Sequence, residues 1–352
     1  MTEFDLERLG WTPERDAEFE QYLEQGLVRA RVAVEHRSQY VLYTEDGELR
    51  AELAGRLRHE GELPAVGDWV ALKPPSTIVA ILPRRTVFSR KETLGATAEQ
   101  VLAVNADAVF VTTALTERDF KVRRLERYLA TAWESGARPV VVLTKSDLCD
   151  WVDEAVADVE AIALGVPVHA VSAVTGDGVD GLRPYLAPNQ TVALLGSSGV
   201  GKSTLVNRLA GREVLATQEI RADGRGRHTT SHRELVPLPG GGLVLDTPGL
   251  RELQLWDVSD GLDATFEDVA AIAEGCRFND CEHKTEPGCA IREALATGAL
   301  PRDRWESHQK LQRELARLER RMDQRAQAEF GKQIRSEARQ RRRAQRPPRP
   351  RN

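Results

Sequence analysis

The chain has 352 residues, of which 41% are hydrophobic and 29% charged, and its formal net charge is −5. This length predicts more than one domain, and the mildly acidic balance excludes a chain that is basic throughout. The N-terminal stretch lacks an apolar core segment, and no apolar run approaches the roughly twenty residues of a membrane helix. We therefore expect a cytoplasmic protein with no membrane anchor.

Residues 1–92 predict a helical lead-in followed by a small β-barrel. Residues 1–26 are polar with a helical pattern, and between residues 28 and 88 about five short alternating strands are separated by turn signals. The strand number favours an OB-like fold, although it does not fix the topology. The candidates for docking the lead-in are four apolar side chains, Leu6, Leu9, Phe19 and Leu23.

Residues 93–255 predict an α/β domain, because strands there alternate with helices, as in a parallel sheet covered on both faces. The predicted strands lie at 108–113, 139–143, 168–171, 191–195 and 243–245. Residues 256–330 predict a helical domain interrupted by a cysteine cluster. The fold class is therefore multidomain: an OB-like β-barrel, a central α/β domain and a C-terminal α-helical domain.

The segment Gly196-Ser-Ser-Gly-Val-Gly-Lys-Ser203 matches a phosphate-binding loop and lies between a predicted strand and a predicted helix. Glycines let backbone N–H groups converge on phosphate oxygens, and the helix N-terminus adds partial positive charge. Lys202 can neutralise the β- and γ-phosphates of a nucleotide, and the Ser203 hydroxyl can ligate Mg²⁺. The alternative is a glycine-rich turn with no ligand.

A second metal and γ-phosphate element is predicted at Asp246-Thr-Pro-Gly249, directly after a strand. The Asp246 carboxylate can hold Mg²⁺ through water, and the Gly249 N–H can contact the γ-phosphate. Upstream, the glycine- and arginine-rich segment 224–231 supplies Thr229 and Thr230, one of which could close onto Mg²⁺. The alternative is a solvated loop whose threonines have no special role.

A base-recognition element is predicted at Thr144-Lys-Ser-Asp147, at the end of a strand, where such a loop should lie. The Asp147 carboxylate can accept hydrogen bonds from guanine N1 and N2 together, a pair that adenine does not offer, which disfavours an ATPase. The Lys145 stem can cover the ring. Ser172-Ala173 follows the next strand, where the backbone can support guanine O6.

The order of these motifs is unusual, because the base-recognition elements precede the phosphate loop. Read cyclically, the order is the usual one of GTP-binding domains, begun at a different point, and each element occurs once. A circular permutation explains this better than chance matches. It also joins the segment after Asp246 directly to the C-terminal region through residues 250–256.

The spacing Cys276-x4-Cys281-x-His283-x5-Cys289 gives four soft ligands within fourteen residues. Three thiolates and one imidazole form a complete tetrahedral zinc shell that leaves no position for water, so one structural zinc ion is predicted. The alternative is a set of reduced cysteines near a surface histidine. Residues 331–352 carry a net charge of +8, which predicts either a solubilising tail or an arm that meets RNA phosphates.

Taken together, the β-barrel, the permuted motifs (TKSD, VSA, GSSGVGKS, HTT and DTPG) and the zinc spacing resemble the ribosome small subunit-dependent GTPase A family, RsgA. The likeness covers nearly the whole chain. It implies an OB-fold that binds 16S ribosomal RNA, a circularly permuted P-loop GTPase domain and a helical zinc domain. It also implies GTP hydrolysis stimulated by the 30S ribosomal subunit, with GDP as product, and a role late in the maturation of that subunit. A monomer is expected.

The resemblance carries binding roles onto residues of this chain. The implied GTP contacts are Thr144, Lys145, Ser146, Asp147, Gly196, Ser197, Ser198, Gly199, Val200, Gly201, Lys202, Ser203 and Thr204. The implied zinc ligands are Cys276, Cys281, His283 and Cys289. Ser172, Ala173, Asp246 and Gly249 complete the predicted nucleotide site, with Mg²⁺ at Ser203 and Asp246. Family members usually carry Asn at the position of Thr144, which predicts weaker base specificity here.

The catalytic set is predicted less directly. Leu250 follows the DTPG motif, near the place where many GTPases have a water-orienting Gln, and a hydrophobic side chain cannot position water. The family's candidate is the histidine before the two threonines, here His228. We hypothesise that His228 orients the attacking water, with Lys202, Thr229 and Thr230 as the other catalytic residues. The alternative is a His228 that contacts RNA or is merely exposed.

Two other functions are compatible with these motifs. The first is a non-hydrolysing rRNA-binding assembly scaffold with a relic nucleotide fold, which intact Lys202, Ser203 and Asp246 disfavour. The second is a permuted GTPase that acts on the large ribosomal subunit, which the N-terminal barrel and the cysteine cluster disfavour.

Overall fold

The structure is a computed structural model that describes residues 5–36, 39–91, 99–215, 233–246, 259–317 and 320. Several predicted functional positions lie outside the described residues: His228, Thr229, Thr230, Gly249, the segment 250–256 and the basic tail 331–352. Within the described ranges, no helix combines the length and the apolar character that a membrane crossing requires.

Five strands close into a barrel in the N-terminal part of the chain. They are β1 (Val28–Glu35), β2 (Tyr40–Thr44), β3 (Gly47–Leu53), β4 (Trp69–Lys73) and β5 (Thr77–Ile81). The order is β1-β2-β3-β5-β4, and β4 pairs back onto β1. Only β3 and β5 run parallel, and parallel neighbours need a crossover, which helix α2 (Gly55–Glu60) and β4 provide. The predicted five-stranded barrel is thus confirmed.

The N-terminal lead-in packs on this barrel through helix α1 (Pro13–Leu23) and the turn before it. Trp11 meets Trp69 of β4 edge to face, with ring centroids 4.7 Å apart. The prediction for Leu23 is wrong: its side chain is 48% exposed, because it lies on the last turn of α1 and faces solvent. The other three predicted docking side chains are buried: Leu6, Leu9 and Phe19.

The strands β6 (Val87–Lys91) and β7 (Glu99–Val104) follow the barrel and pair antiparallel with each other. The domain boundary predicted at residue 92 lies outside the described residues. That boundary stays a prediction. The central sheet comes next, with β8 (Ala108–Ala114), β9 (Arg138–Thr144), β10 (Val168–Val171), β11 (Thr191–Leu195), β12 (Glu234–Pro237) and β13 (Leu243–Asp246). Its order is β10-β9-β8-β11-β13-β12, and only β12 is antiparallel to its neighbour in this sheet.

Helices cover both faces of the central sheet, as predicted for parallel strands. They are α3 (Val122–Glu134), α4 (Val152–Glu160) and α5 (Lys202–Ala210), with short 3₁₀ segments at Ser146–Leu148 and Val179–Leu186. Side chains alternate across β8, so Val109 packs with α3 and α4, whereas Phe110 packs with α5. Each face therefore has its own hydrophobic core.

The barrel and the central sheet form one continuous sheet of eleven strands. The junction is an antiparallel pairing of β12 with β1, in which Glu234 lies opposite Val34. The Tyr43 hydroxyl donates to the carbonyl of Leu235 over 3.2 Å. Next to the pairing, Arg233 and Glu35 form an ion pair of 2.9 Å. The barrel is thus hydrogen-bonded to the strand that follows the threonine-bearing segment.

Four helices follow the central sheet: α6 (Ser259–Thr265), α7 (Glu267–Glu274), α8 (Ala290–Thr297) and α9 (302–317). They share a small core that includes Phe266, Ile291 and Trp305. Helix α6 lies directly on α3, because a Cβ at Gly261 would come within 2.0 Å of the Ala130 carbonyl oxygen. This close approach of two backbones requires glycine.

A buried ionic cluster fastens these helices to α3. Arg304 of α9 and Glu126 of α3 are 4% and 2% exposed, and their charged groups lie 2.7 Å apart. Arg304 also contacts Asp268 of α7 over 2.8 Å, and its guanidinium carbon lies 4.2 Å from the ring centroid of Phe266. Buried charges are tolerated when they are paired and hydrogen-bonded in this way. The C-terminal helices are thereby held in one position on the central domain.

Candidate nucleotide site and metal centre

The predicted nucleotide-binding segments follow the carboxyl ends of neighbouring strands. The phosphate loop follows β11, Asp246 ends β13, and the two base-recognition segments follow β9 and β10. Because these strands run parallel within one sheet, with β8 between β9 and β11, their carboxyl ends share one edge, which is where ligands of open α/β sheets bind. The fold therefore brings together segments that are far apart in the sequence.

The base-recognition segment touches the phosphate loop directly. The Thr144 hydroxyl donates to the carbonyl of Val200, and its oxygen also lies 3.1 Å from the carbonyl oxygen of Thr113. Thr144 is 2% exposed. Its hydroxyl is thus committed to main-chain atoms of β8 and of the phosphate loop, so the base-recognition segment directly adjoins that loop. Which of these residues contact GTP stays a prediction.

The phosphate loop has the backbone geometry that its glycines predict. Gly196 has φ = 150°, and a Cβ there would lie 2.2 Å from the carbonyl oxygen of Thr112, so only glycine fits. The Lys202 ammonium donates to the carbonyls of Gly196 and Ser197 over 2.7 and 2.6 Å. Lys202 is 6% exposed, and the charge is thus held against the loop itself.

Two side chains of α3 that the sequence motifs do not predict reach the phosphate loop. The Tyr128 hydroxyl lies 3.0 Å from Oγ of Ser197, and Nη1 of Arg124 lies 3.3 Å from the same atom. No sequence motif marks them, because α3 is joined to β8 and not to the phosphate loop. In the sequence, Val122, Leu125, Leu129 and Ala132 recur at helical spacing, a pattern that indicates only a helix packed on the sheet.

The base-recognition loop after β9 turns sharply. Lys145 adopts a left-handed backbone conformation with φ = 58°, and a 3₁₀ turn over Ser146–Leu148 follows. This turn leaves the Asp147 side chain exposed to solvent. Such a carboxylate is accessible to a base that arrives from solvent.

The loop after β10 is closed by its own hydrogen bonds. Ser172 is fully buried, its Oγ accepts from the Thr175 N–H over 3.1 Å, and its carbonyl accepts from the Gly176 N–H over 2.9 Å. Arg208 of α5 donates to the Thr175 carbonyl over 3.1 Å, which ties this loop to the helix after the phosphate loop. Ala173 is half-buried at the same turn.

Two exposed apolar side chains flank the base-recognition loops. Leu148 directly follows Asp147 and Val174 directly follows Ala173, and they are 69% and 73% exposed. Apolar side chains at these positions can cover a planar base. Sequence reasoning did not single them out, since an isolated apolar residue in a loop carries no signal by itself.

The donors available to Mg²⁺ are oxygen atoms, which that ion prefers. Ser203 lies in the first turn of α5 and is half-buried, and Asp246 is a buried carboxylate at the end of β13, the strand next to β11. The residues present therefore fit a magnesium ion held beside the phosphate loop.

The four predicted zinc ligands come together between α7 and α8. One ligand atom from each of Cys276, Cys281, His283 and Cys289 lies within 4.8 Å of all the others. The Nδ1 atom of His283 lies 3.5 Å from Sγ of Cys276 and 3.5 Å from Sγ of Cys289. Tetrahedral bonds of the usual zinc lengths place sulfur and nitrogen about 3.6 Å apart. The cluster could therefore hold zinc.

The surroundings of the cluster act in opposite directions on two of its thiols: burial and the neighbouring sulfurs raise the pKa of Cys281 to about 11, whereas Cys276 is favoured as a thiolate. Burial of Cys276 opposes its ionisation, but backbone N–H groups of Ile291 and Ala290, at the start of α8, donate to the sulfur and hold its pKa below the ordinary value. The ring of Trp305 lies edge-on to His283 at 5.6 Å. Contacts such as these orient metal ligands and tie them to the core of the domain.

Comparisons with known proteins agree with this arrangement. The sequence profile of the RsgA GTPase family matches residues 81–256. The chain is 52% identical to the small ribosomal subunit biogenesis GTPase RsgA of Opitutus terrae, over 90% of this chain and 92% of that protein. It is 46% identical to the protein of the same name from Streptomyces coelicolor, over 93% of this chain and 91% of that protein.

Solved structures share the fold. The crystal structure of YjeQ from Thermotoga maritima superposes with a TM-score of 0.64 and 27% identity, over 82% of this chain and 99% of YjeQ. YloQ, described as a circularly permuted GTPase, superposes with a TM-score of 0.59 and 22% identity, over 84% of this chain and 96% of YloQ. The predicted circular permutation is confirmed, and the chain belongs to the RsgA GTPase family.

Proposed function

We propose that this GTPase binds the 30S ribosomal subunit and its 16S rRNA, hydrolyses GTP to GDP and phosphate when it is bound there, and assists late maturation of the subunit. The contact between Thr144 and Val200 carries the nucleotide part of the proposal, since it puts the base and phosphate elements in one cleft. The ribosomal part rests on the names of the relatives from Opitutus terrae and Streptomyces coelicolor. A cytoplasmic monomer suits that task.

Within the cleft, guanine recognition is assigned to Asp147 and Lys145. The exposed carboxylate accepts from guanine N1 and N2, the lysine stem covers the ring, and the backbone of Ser172-Ala173 faces O6. Because the Thr144 hydroxyl is committed to Val200, it is not available to the base. Selection of guanine over adenine therefore rests on Asp147 more than in relatives with Asn at position 144.

The phosphates are assigned to the loop 196–204. When a nucleotide enters, the Lys202 ammonium exchanges the carbonyls of Gly196 and Ser197 for β- and γ-phosphate oxygens. Ser203 and Asp246 would hold Mg²⁺, which neutralises negative charge on the phosphates when it is bound. Gly249, Thr229 and Thr230 are assigned to the γ-phosphate side by their motifs alone.

For the attacking water we propose His228, since Leu250 cannot orient it. An imidazole can position a water molecule by hydrogen bonding once its loop is ordered. The proposal predicts that His228→Ala abolishes most ribosome-stimulated turnover and leaves nucleotide affinity intact. Full stimulated turnover by the variant would exclude this role.

The roles that we propose for the segments of the chain follow its fold. Residues 1–92 are assigned to an OB-like, RNA-binding unit, because the barrel order β1-β2-β3-β5-β4 with a helix between β3 and β4 is that of the OB-fold. Exposed arginines at 50 and 58 offer positive charge on its surface, whereas the charge of Arg56 is paired with Glu60 over 3.2 Å. Residues 93–255 form the GTPase unit, 256–330 the zinc unit and 331–352 a basic arm.

The test is multiple-turnover GTP hydrolysis with purified 30S particles, with 50S particles and without ribosomal subunits. Stimulation by 30S alone is the expected result, and Lys202→Ala is the inactive control. Stimulation by 50S alone would favour a large-subunit factor. Binding to 30S particles without any GTP hydrolysis would favour an assembly scaffold.

A further inference from the structure

Helix α3 presents three arginines between the phosphate loop and the C-terminal helices, and they differ in their partners. Arg123 pairs with Glu306 over 3.6 Å, and Arg127 pairs with Glu314 over 2.7 Å. Among the described residues, no carboxylate lies within ion-pairing distance of Arg124. Its side chain instead contacts the hydroxyl of Ser197, in the phosphate loop, at 3.3 Å.

The position of Arg124 relative to the phosphates follows from Ser197. The carbonyl of Ser197 accepts from the Lys202 ammonium over 2.6 Å, while its hydroxyl accepts from Arg124. The two cations therefore contact the same residue of the phosphate loop, and Lys202 is the one that meets β- and γ-phosphates in such loops. Arg124 is exposed, so its long side chain can turn towards a nucleotide in the cleft.

The backbone that carries Arg124 is held rigidly. Its neighbours Leu125 and Leu129 are buried against the central sheet, and Glu126 is fixed by Arg304. Because α3 is fixed, Arg124 can reach the nucleotide site without a second protein. In some GTPases, by contrast, a partner protein inserts the arginine. A neutral hydroxyl is also a weak partner for a guanidinium, which a phosphate oxygen would displace.

We propose that Arg124 is a catalytic residue that donates hydrogen bonds to γ-phosphate oxygens during hydrolysis. This inference rests on the proposed GTPase site. Water attacks the γ-phosphorus, the bond from phosphorus to the β–γ bridging oxygen breaks, and GDP departs with the electron pair. The water proton passes to the released phosphate, while the guanidinium stays charged throughout and offsets the charge that builds up on the oxygens.

The experiment compares Arg124→Ala and Arg124→Lys with Arg123→Ala, a matched arginine one residue away. We expect Arg124→Ala to lower kcat about 10²-fold, with GDP affinity unchanged and with no stable complex of GDP and aluminium fluoride. Arg124→Lys should recover part of kcat, because lysine keeps the charge and loses the planar fork. Arg123→Ala should hydrolyse GTP as the wild type does. Melting temperatures verify folding.

Two further variants, Ser197→Ala and the double variant Arg124→Ala/Ser197→Ala, distinguish two roles of Arg124. In one role it contacts the γ-phosphate directly, and in the other it only supports the phosphate loop through Ser197. If Ser197→Ala is as slow as Arg124→Ala and the double variant is no slower, Arg124 acts only through Ser197 and the proposal is overturned. Wild-type kcat in Arg124→Ala overturns it as well. A wild-type protein that fails to hydrolyse GTP, with or without 30S particles, instead refutes the proposed function on which the inference rests.

Discussion

The hydroxyl of Thr144 donates to the main-chain carbonyl of Val200, 56 positions later in the sequence. Thr144 ends β9 and Val200 lies in the loop after β11, and strand β8 lies between β9 and β11, so the contact reaches across the end of one strand at the edge of the sheet. In this permuted chain the base-recognition segment precedes the phosphate loop in the sequence. This contact is therefore the point at which the two halves of the nucleotide site meet.

If guanine is selected by Asp147, exchange of its carboxylate should change the preferred base. Asp147→Asn is expected to weaken GDP affinity by roughly 10²- to 10⁴-fold, because the hydrogen bonds from guanine N1 and N2 no longer reach a charged acceptor. Xanthosine diphosphate should bind the variant better, since an amide can accept from its N1 and donate to its O2. Competition against a fluorescent nucleotide measures both affinities.

The matched control is Asp150→Asn, which removes an exposed acid three residues further along and should leave both affinities unchanged. Asp147→Asn that binds GDP as tightly as the wild type would show that guanine is recognised elsewhere in the cleft.

Removal of one predicted zinc ligand should distinguish the three clustered cysteines from Cys149. Cys281→Ser is expected to lose the bound zinc and to lower the melting temperature, because structural zinc sites contribute directly to folding. Cys149→Ser changes the cysteine outside the cluster and should keep one zinc ion per chain. Metal analysis of the purified variants and thermal unfolding provide the two readouts. Equal zinc content in both variants would contradict the assignment.

The buried pair of Arg304 and Glu126 should control the docking of the C-terminal helices on α3. Arg304→Met leaves the buried Glu126 carboxylate without a cation and with only the Ser307 hydroxyl donating to it, so the free energy of unfolding should fall by about 3–5 kcal/mol. The double variant with Glu126→Leu should recover part of the loss, because no buried charge remains. Urea unfolding of the two single variants and the double variant forms the cycle. Additive effects would indicate that the two side chains do not interact.

Motifs of short range could be predicted from the sequence because their chemistry lies within a few residues. The glycines of the phosphate loop, the zinc spacing and the apolar run of β8 each carry their own physical requirement. The permuted order could also be predicted, since motifs at the ends of parallel strands meet at one edge whatever their order in the chain.

Contacts between distant elements could not be predicted in the same way. The pairing of β12 with β1 depends on two strands whose sequences show no preference for each other. The approach of Arg124 to Ser197 depends on the placement of α3 beside a loop to which it is not connected. The docking prediction for Leu23 is wrong because an apolar residue near a helix end can face either the core or solvent.

Deletion of the basic tail should weaken binding to ribosomal RNA through charge alone. Residues 333–352 contain eight arginines and one glutamate. For every phosphate that the tail neutralises, its deletion should reduce the slope of log affinity against log salt by about 0.7–0.9. Binding to 30S particles over a salt series measures the slope. A variant of full length with the tail arginines changed to glutamine separates charge from length, and an unchanged slope in that variant would count against the RNA-binding arm.

We predict that the folding stability of the GTPase domain depends on pH through His169. It lies on β10, and its Nε2 is 3.1 Å from the Tyr185 hydroxyl. Burial lowers the pKa of His169 below the ordinary 6.5. As the pH falls below about 6.5, the unfolded chain takes up a proton that the folded state resists. The stability associated with the neutral imidazole is therefore complete above that pH and is lost progressively between it and the lowered pKa.

A comparison of the wild type with His169→Phe isolates the contribution of His169, because all other titrating groups are the same in the two proteins. His169→Phe keeps an aromatic ring beside Tyr185 and removes the titration. Urea unfolding at about pH 7.5 and about pH 5.5 should show that the wild type loses more stability than His169→Phe as the pH falls. The loss of the hydrogen bond to Tyr185 changes the free energy of unfolding of the variant by the same amount at both pH values. A difference between the two proteins that does not change with pH would mean that His169 is protonated as readily in the folded state as in the unfolded chain.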